Sequence, residues 1–329
     1  MLEHGGRLRA AAQRHAIALE DWLDLSTGIA PRHLPLPALP DDAWSRLPEP
    51  DDQLEALACR YYGAEAVLPV AGSQMAIQAL PRLRRDARVG VLSPCYAEHA
   101  EAWRREGHRV LEISEGSVHR ALDGLDVLVV VNPNNPTGRR LPVEQLLDLH
   151  ARLAERGGWL VIDEAFMDCT PEHSLAAHSQ RPGLIVLRSF GKFFGMAGAR
   201  LGFVLANVRL LAVLGELLGP WTIGGPTRWL ACSMLADQAG QSRQRESLAQ
   251  DGERLARLLE RYGLRPAGGC GLFQWVVTED PEGIYQHLAQ RAILVRLFSH
   301  TSSLRFGLPA DENGWQRLEK ALAERVRAA

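Results

Sequence analysis

The sequence predicts an α/β protein, a mostly parallel, doubly wound sheet joined to a smaller α+β C-terminal domain. Short apolar runs alternate with helical patterns between residues 51 and 206, the order that builds parallel strand–helix–strand units. Leu125–Val131 is apolar but for Asp126, and Trp159-Leu-Val-Ile reads the same way up to Asp163, as strands covered on both faces should. After Asn207 the order shifts to long helices and short strands. The expected divisions are an N-terminal arm over 1–50, a large domain over 51–206, and linking helices with a small domain over 207–329.

The 329 residues are 46% apolar and 23% charged with a formal net charge of −2. These are the proportions of a globular chain with a real core, and they give no support to nucleic-acid or anionic-membrane partners. No apolar run approaches the roughly 18 residues of a membrane span, and Met1-Leu-Glu-His-Gly-Gly is not the pattern of a secretory leader. Five scattered cysteines suggest neither a disulfide framework nor a zinc site, and the eleven histidines show no metal spacing. The expected compartment is the cytoplasm.

In chain order, a short helical pattern near Leu8–Ile17 precedes Asp24-Leu-Ser-Thr-Gly28. Prolines at 31, 35, 37, 40, 48 and 50 then favour an extended arm. Asp51-Asp52 caps a helix to Tyr62, stopped by Gly63. Val67–Val70 reads as a strand running into Ala71-Gly-Ser-Gln and a helix to about Leu83. A helix start after a small-residue turn leaves N–H groups available to an anion. Val89–Leu92, Arg109–Ile113 and Leu184–Leu187 are further strands, and Leu201–Leu205 is another. Val143–Arg156 is a helix, and a long one is expected from Pro226 to Tyr262 with an irregularity at Gly240. Leu272–Val277, Ile293–Val295 and Leu304–Leu308 are then strands among helices near Pro281–Gln290 and Asp311–Arg327. The stretches at 71–75, 93–96, 132–138, 163–166 and 189–192 each begin where a predicted strand ends, the place where open α/β sheets bind ligands.

The loop after Val186-Leu187 concentrates the chemistry. It carries glycines at 191, 195, 198 and 202, with Ser189, Lys192 and Arg200 among them. Glycines let backbone amides approach a phosphate, while serine and arginine add donors. The chain has only two lysines, Lys192 and Lys320, against many arginines. A lysine amid glycines therefore suggests amine chemistry, a Schiff base to an aldehyde, beside the plainer reading of a surface lysine on a loop.

Asn132-Pro-Asn-Asn-Pro-Thr-Gly138, Asp163-Glu-Ala-Phe166 and Ser189-Phe-Gly-Lys192 with a later Gly-Ala-Arg200-Leu-Gly resemble the type I pyridoxal-phosphate (PLP) enzymes of the aminotransferase superfamily, over essentially the whole chain. More narrowly, His4-Gly-Gly, Asp24-Leu-Ser-Thr-Gly-Ile29 and Leu187-Arg-Ser-Phe-Gly-Lys192 are similar to the threonine-phosphate decarboxylases of cobalamin synthesis, whose nearest relatives are histidinol-phosphate aminotransferases. The resemblance implies the type I PLP-dependent transferase fold, a homodimer and a small phosphorylated amino acid as substrate.

It also implies roles. Lys192 binds the cofactor aldehyde and moves protons at Cα. Asp163 keeps the pyridinium nitrogen protonated; a structural ion pair is the alternative for this buried carboxylate. Asn135 donates to the phenolic oxygen. Tyr96 stacks on the ring, unless it is simply a core aromatic. Gly72, Ser73, Gln74, Ser189 and Arg200 hold the phosphate. His4, Gly28 and Arg305 fall on the substrate side, with Arg305 gripping the α-carboxylate as a fork. No metal is implied. Two departures stand out: Leu47 replaces a tyrosine of an Arg-Tyr-Pro stretch, and Phe166 replaces a tyrosine donor, each a lost hydrogen bond of roughly 0.5–1.5 kcal/mol. An aminotransferase, or a non-catalytic PLP-binding regulator, are the rival readings.

Overall fold

The computed structural model of the chain describes residues 4–328. Twelve strands occur among them: β1 (Leu23–Leu25), β2 (Val67–Val70), β3 (Arg88–Leu92), β4 (Arg109–Ile113), β5 (Val127–Val131), β6 (Trp159–Asp163), β7 (Leu184–Ser189), β8 (Gly202–Leu205), β9 (Gly268–Cys270), β10 (Phe273–Val277), β11 (Ile293–Phe298) and β12 (Ser303–Gly307). The chain divides into two compact units. One holds His33–Asn135 and Arg139–Gln244; the other holds the chain up to Arg32, Pro136–Gly138 and the chain from Arg245 onward.

The first unit is built on a seven-stranded sheet in the order β2-β8-β7-β6-β5-β3-β4. Only β8 runs against its neighbours. β5 is buried at every position. Its alternate side chains point to opposite faces, so both faces are covered. One face, with Val127, Val129, Val161 and Ile185, packs under Ile77, Trp103, Leu211 and Leu214 from three helices. Each such fully buried aliphatic side chain contributes about 1.5–3 kcal/mol.

The second unit carries a five-stranded mixed sheet in the order β1-β11-β12-β10-β9. β1 pairs in parallel with β11, placing Leu23 opposite Ile293 and Leu25 opposite Val295. This pairing draws the start of the chain into the C-terminal unit, so the stretch 1–50 is not one arm. Its earlier part joins β11, and the division falls between Arg32 and His33 rather than near residue 50. The proline-rich remainder lies on helix Gly225–Ala236: Trp229 Nε1 donates to the Ala38 carbonyl at 2.9 Å, and a Cβ at Gly225 would meet the Ala43 carbonyl oxygen at 2.3 Å.

The long helix expected from Pro226 is two helices, Gly225–Ala236 and Gln238–Arg261. The break is at Asp237, not Gly240. Asp237 leaves helical geometry and its Oδ1 accepts the Gly240 N–H at 2.8 Å, capping the second helix. No helix among the described residues is long and apolar enough to cross a membrane.

Candidate active site

Five sequence-predicted stretches come together at one edge of the seven-stranded sheet because the strands that precede them are parallel. Register fixes their neighbours: Val131 stands opposite Asp163, Asp163 opposite Leu187, Ser189 opposite Gly202, and Gly202 also opposite Val70.

Asp163 ends β6 and is 3% exposed. Its Oδ1 accepts the Ala165 N–H at 3.0 Å, and its Oδ2 lies 2.8 Å from His99 Nε2. The partner expected from the sequence was a cofactor nitrogen. His99, which sequence reasoning left among the structural histidines, is a second one, buried to 1%. Three residues before it, just ahead of helix Glu98–Arg105, is Tyr96, whose ring stands edge-on to that of His99 at 6.2 Å. Burial, with help from Glu98 and Asp163, pushes the Tyr96 phenol up to about 12, so it is a protonated donor across the physiological range. Asn132 is fully buried and shapes the following turn, its Oδ1 accepting the Leu141 N–H at 2.8 Å. Asn134 donates to the Pro94 carbonyl at 2.8 Å, and Asn135 follows it half-buried.

The candidate phosphate cradle is assembled by two glycines. Gly72 has φ +75°, and a Cβ there would lie 2.7 Å from Arg200 Nη2. Only a residue without a side chain lets the guanidinium lie against that turn. A Cβ at Gly202 would meet the Ser73 nitrogen at 2.4 Å. The Ser73 nitrogen thus lies close against Gly202, which stands opposite Ser189, while the Arg200 guanidinium lies against Gly72. The Gln74 side chain is engaged elsewhere, donating to Glu98 Oε2 and accepting from the Tyr96 hydroxyl.

Lys192 sits on the single turn Phe190–Phe193. Phe190, Phe193 and Phe194 are all fully buried, the first and last stacked at 4.4 Å, and together they anchor the loop to the core. A Cβ at Gly191 would lie 2.8 Å from Ala197 Cα, which accounts for that glycine. Lys192 Nζ stands 5.7 Å from the centre of the Phe166 ring.

A buried ionic cluster unforeseen in the sequence backs this edge. Arg188 Nη1 donates to Glu164 Oε2 at 2.7 Å and Nη2 to Asp168 Oδ1 at 2.8 Å, and its guanidinium lies 4.5 Å over the Tyr62 ring. Burial opposes the charge on Arg188, but Asp168 and Glu164 outweigh it and hold its pKa above the ordinary value.

The second unit presents a different group. Arg305 on β12 is 6% exposed, and its Nη2 donates to the Ser26 carbonyl at 3.0 Å. Burial, reinforced by Arg296, lowers its pKa to about 10, which still leaves it cationic at neutral pH. Arg296 on β11 is directly opposite Arg305 in the antiparallel register, so both side chains leave the same face of the sheet. Ser26 is held by Asp24, whose Oδ1 accepts from Ser26 N at 2.9 Å and Oγ at 2.6 Å. The Gly6 N–H donates to Ser26 Oγ at 2.7 Å, and a Cβ at Gly5 would collide with the Ser26 carbonyl oxygen at 2.3 Å. The His4-Gly-Gly stretch therefore lies against Ser26, with His4 itself exposed. Gly28 is buried in the turn after β1, where the neighbouring Thr27 carbonyl packs on Gly307.

The first unit's edge fits a phosphorylated pyridine aldehyde. It holds a cradle that a Cβ at Gly72 would fill, a buried carboxylate at Asp163, an aromatic face at Tyr96 and a primary amine at Lys192. Among the described residues, no group of three or more histidine, cysteine or acidic side chains could hold a metal.

The fold and this residue set define an aminotransferase-type enzyme, and the chain belongs to the family of class I and II aminotransferases, whose model matches residues 25–321. More specifically, it is 64% identical over 322 residues to a threonine-phosphate decarboxylase from Pseudomonas aeruginosa, covering 98% of this chain and 97% of that one. It is 42% identical over 329 residues to a threonine-phosphate decarboxylase from a Sinorhizobium species, covering 97% of each. The crystal structure of histidinol-phosphate aminotransferase from Sinorhizobium meliloti in complex with pyridoxal-5'-phosphate matches with a TM-score of 0.84, over 100% of this chain and 99% of that one. At 19% identity that likeness concerns the fold.

Proposed function

We propose that this protein is a PLP-dependent carboxy-lyase that converts L-threonine O-3-phosphate to (R)-1-amino-2-propanol O-2-phosphate and CO2, a step of cobalamin synthesis. The observation that carries the activity is 64% identity across nearly the whole chain to a threonine-phosphate decarboxylase. When bound, PLP supplies an aldehyde that condenses with amines and a ring that accepts the electron pair of a bond broken at Cα.

The chain's residues do the rest. Lys192 supplies the anchoring amine and, released by the substrate amine, moves protons at Cα. Asp163, oriented by His99 and the Ala165 N–H, holds the proton on the pyridine nitrogen. Tyr96 covers one ring face, and Asn135 donates to the phenolic oxygen. Gly72, Ser73, Gln74, Ser189 and Arg200 take the cofactor phosphate.

The substrate carries two anions, and we assign the two opposed arginines to them. Arg305, buried and fixed by Ser26, takes the carboxylate. Arg296, less buried and opposite it, takes the substrate phosphate. Two guanidiniums side by side disfavour each other, and bound anions remove that penalty. His4 and Gly28 complete this side.

We also propose a cytoplasmic homodimer. The proline-rich stretch already lies on its own chain, so it needs no second copy as a surface. The support comes instead from Leu36, Trp44, Leu47, Trp221 and Trp229, large apolar side chains between 48% and 73% exposed. The deciding experiment incubates PLP-loaded protein with threonine phosphate and, separately, with histidinol phosphate plus 2-oxoglutarate. CO2 from the first and no glutamate from the second is the expected result; glutamate without CO2 overturns the reading.

A further inference from the structure

A chain of side-chain hydrogen bonds runs from Tyr96 away from the candidate cofactor edge. Tyr96 OH donates to Gln74 Oε1 at 3.1 Å. Gln74 Nε2 donates to Glu98 Oε2 at 2.9 Å, and Gln78 Nε2 donates to the same oxygen at 3.1 Å. Arg105 Nη1 then donates to Gln78 Oε1 at 2.8 Å. Gln74 and Gln78 are four residues apart on one face of helix Ser73–Ala79, while Glu98 and Arg105 are seven apart on one face of helix Glu98–Arg105.

The polarity of this chain follows from chemistry. A carboxylate only accepts, so both glutamine amides must turn their nitrogens to Glu98. The Gln74 oxygen is then committed to the other side, toward the Tyr96 hydroxyl. At the far end the Gln78 oxygen faces Arg105, which only donates, so every link agrees. With its amide engaged in this way, Gln74 offers the phosphate cradle its backbone and not its side chain.

We propose that Glu98 is a positioning residue for the cofactor: by holding the Gln74 amide with its oxygen toward Tyr96, it fixes the phenol ring over the pyridine. This rests on the proposed placement of Tyr96 on the ring. Glu98 reaches Tyr96 through the Gln74 amide. The two glutamine N–H groups converging on one oxygen are charge-assisted bonds, stronger than neutral ones.

The test measures PLP affinity by absorbance titration of the apoprotein, with thermal midpoints recorded alongside. Glu98→Ala is expected to weaken PLP binding about tenfold, the scale of one charge-assisted hydrogen bond. Glu98→Gln keeps an acceptor oxygen and is expected to stay within about threefold of the parent. Tyr96→Phe should weaken binding comparably to Glu98→Ala, and the double variant should be no weaker than the worse single one, because both cut the same chain. A role confined to tethering the two helices would lower the thermal midpoint while the two losses in affinity multiplied, and that result overturns the proposal. So does parental affinity in Glu98→Ala. Tyr96→Ala separates the two levels: if it binds PLP as the parent does, the placement of Tyr96 falls and the proposal with it.

Discussion

Glu164 Oε2 lies 2.7 Å from Arg188 Nη1 with both side chains almost fully buried, and each residue is the chain neighbour of a site residue, Asp163 or Ser189. Successive side chains of a strand point to opposite faces. Arg188 and Ser189 are successive residues of β7, so holding 188 fixes the direction of 189, while Glu164 directly follows Asp163 at the end of β6. Replacing Arg188 by Met should cost on the order of 3–5 kcal/mol, since it strands buried carboxylates. Burial already raises the Glu164 pKa in the folded protein, against the lowering effect of Arg188. A carboxyl with a raised folded pKa adds stability below its unfolded pKa and loses it as pH rises through the folded one. Removing Arg188 raises that pKa further, so the variant should lose more of its urea midpoint than the parent between pH 5 and pH 8. An identical pH dependence in the two proteins contradicts the role given to this pair.

Lys192 is expected to carry the cofactor. Borohydride reduction of PLP-loaded protein followed by peptide mapping should place the pyridoxyl label on Lys192, and Lys192→Ala should lack the yellow absorption and CO2 release. A label on Lys320 would overturn the reading of the glycine-rich loop.

Asp163→Asn keeps the shape of the side chain and removes its charge. The pyridine nitrogen then loses its anionic partner, and kcat for CO2 release should fall on the order of 10²–10³-fold, the scale for removing one preorganised electrostatic contact. A kcat within about threefold of the parent would show that another group holds that proton.

Gly72→Ala tests the cradle separately from the chemistry. The added methyl meets Arg200 Nη2 at 2.7 Å and adopts φ +75°. At φ +75° and ψ 153° the backbone lies in a region essentially confined to glycine, costing another residue on the order of 1–3 kcal/mol, and moving Arg200 would disturb the proposed phosphate donor. PLP should dissociate markedly faster on dialysis, while the reaction of the loaded enzyme slows less. Unchanged retention would remove Arg200 and Gly72 from the phosphate site.

The strand ends were legible because glycine, proline and asparagine mark chain reversals locally, and a parallel sheet gathers those reversals on one edge. Lys192, Asp163 and the Gly72 turn were singled out in that way, and the structure places each of them at such a strand end. His99, Glu98 and Arg296 were not. Each acquires its partner from a distant segment: His99 from β6, Glu98 from the helix at 73, Arg296 from β12. A signal existed for His99 in its three-residue spacing from Tyr96, which places both at one helix start. The division of the first 50 residues was illegible for a related reason. Three residues, Leu23–Leu25, pair with a strand some 270 positions later, and only register reveals it.

In the reading proposed above, the two opposed arginines of the small sheet divide the substrate's two anions between them. A substrate with a carboxylate and a phosphate needs both anions held in a fixed orientation. Arg305 is buried, fixed by the Ser26 carbonyl and close to the Gly5-Gly6 stretch through that same serine. Arg296 is less buried. If Arg296 takes the phosphate, Arg296→Gln should raise KM for threonine phosphate by about 10–150-fold, the range for a hydrogen bond to a charged group. It should leave PLP affinity, and any slow turnover of unphosphorylated threonine, near the parental value. Arg305→Gln should lower kcat/KM for both amino acids alike, since both carry the carboxylate. His4→Ala should behave as a weaker Arg296→Gln if His4 also meets the phosphate. Equal losses on the two amino acids from Arg296→Gln would place Arg296 outside the phosphate site and leave the arm at His4 to account for the discrimination.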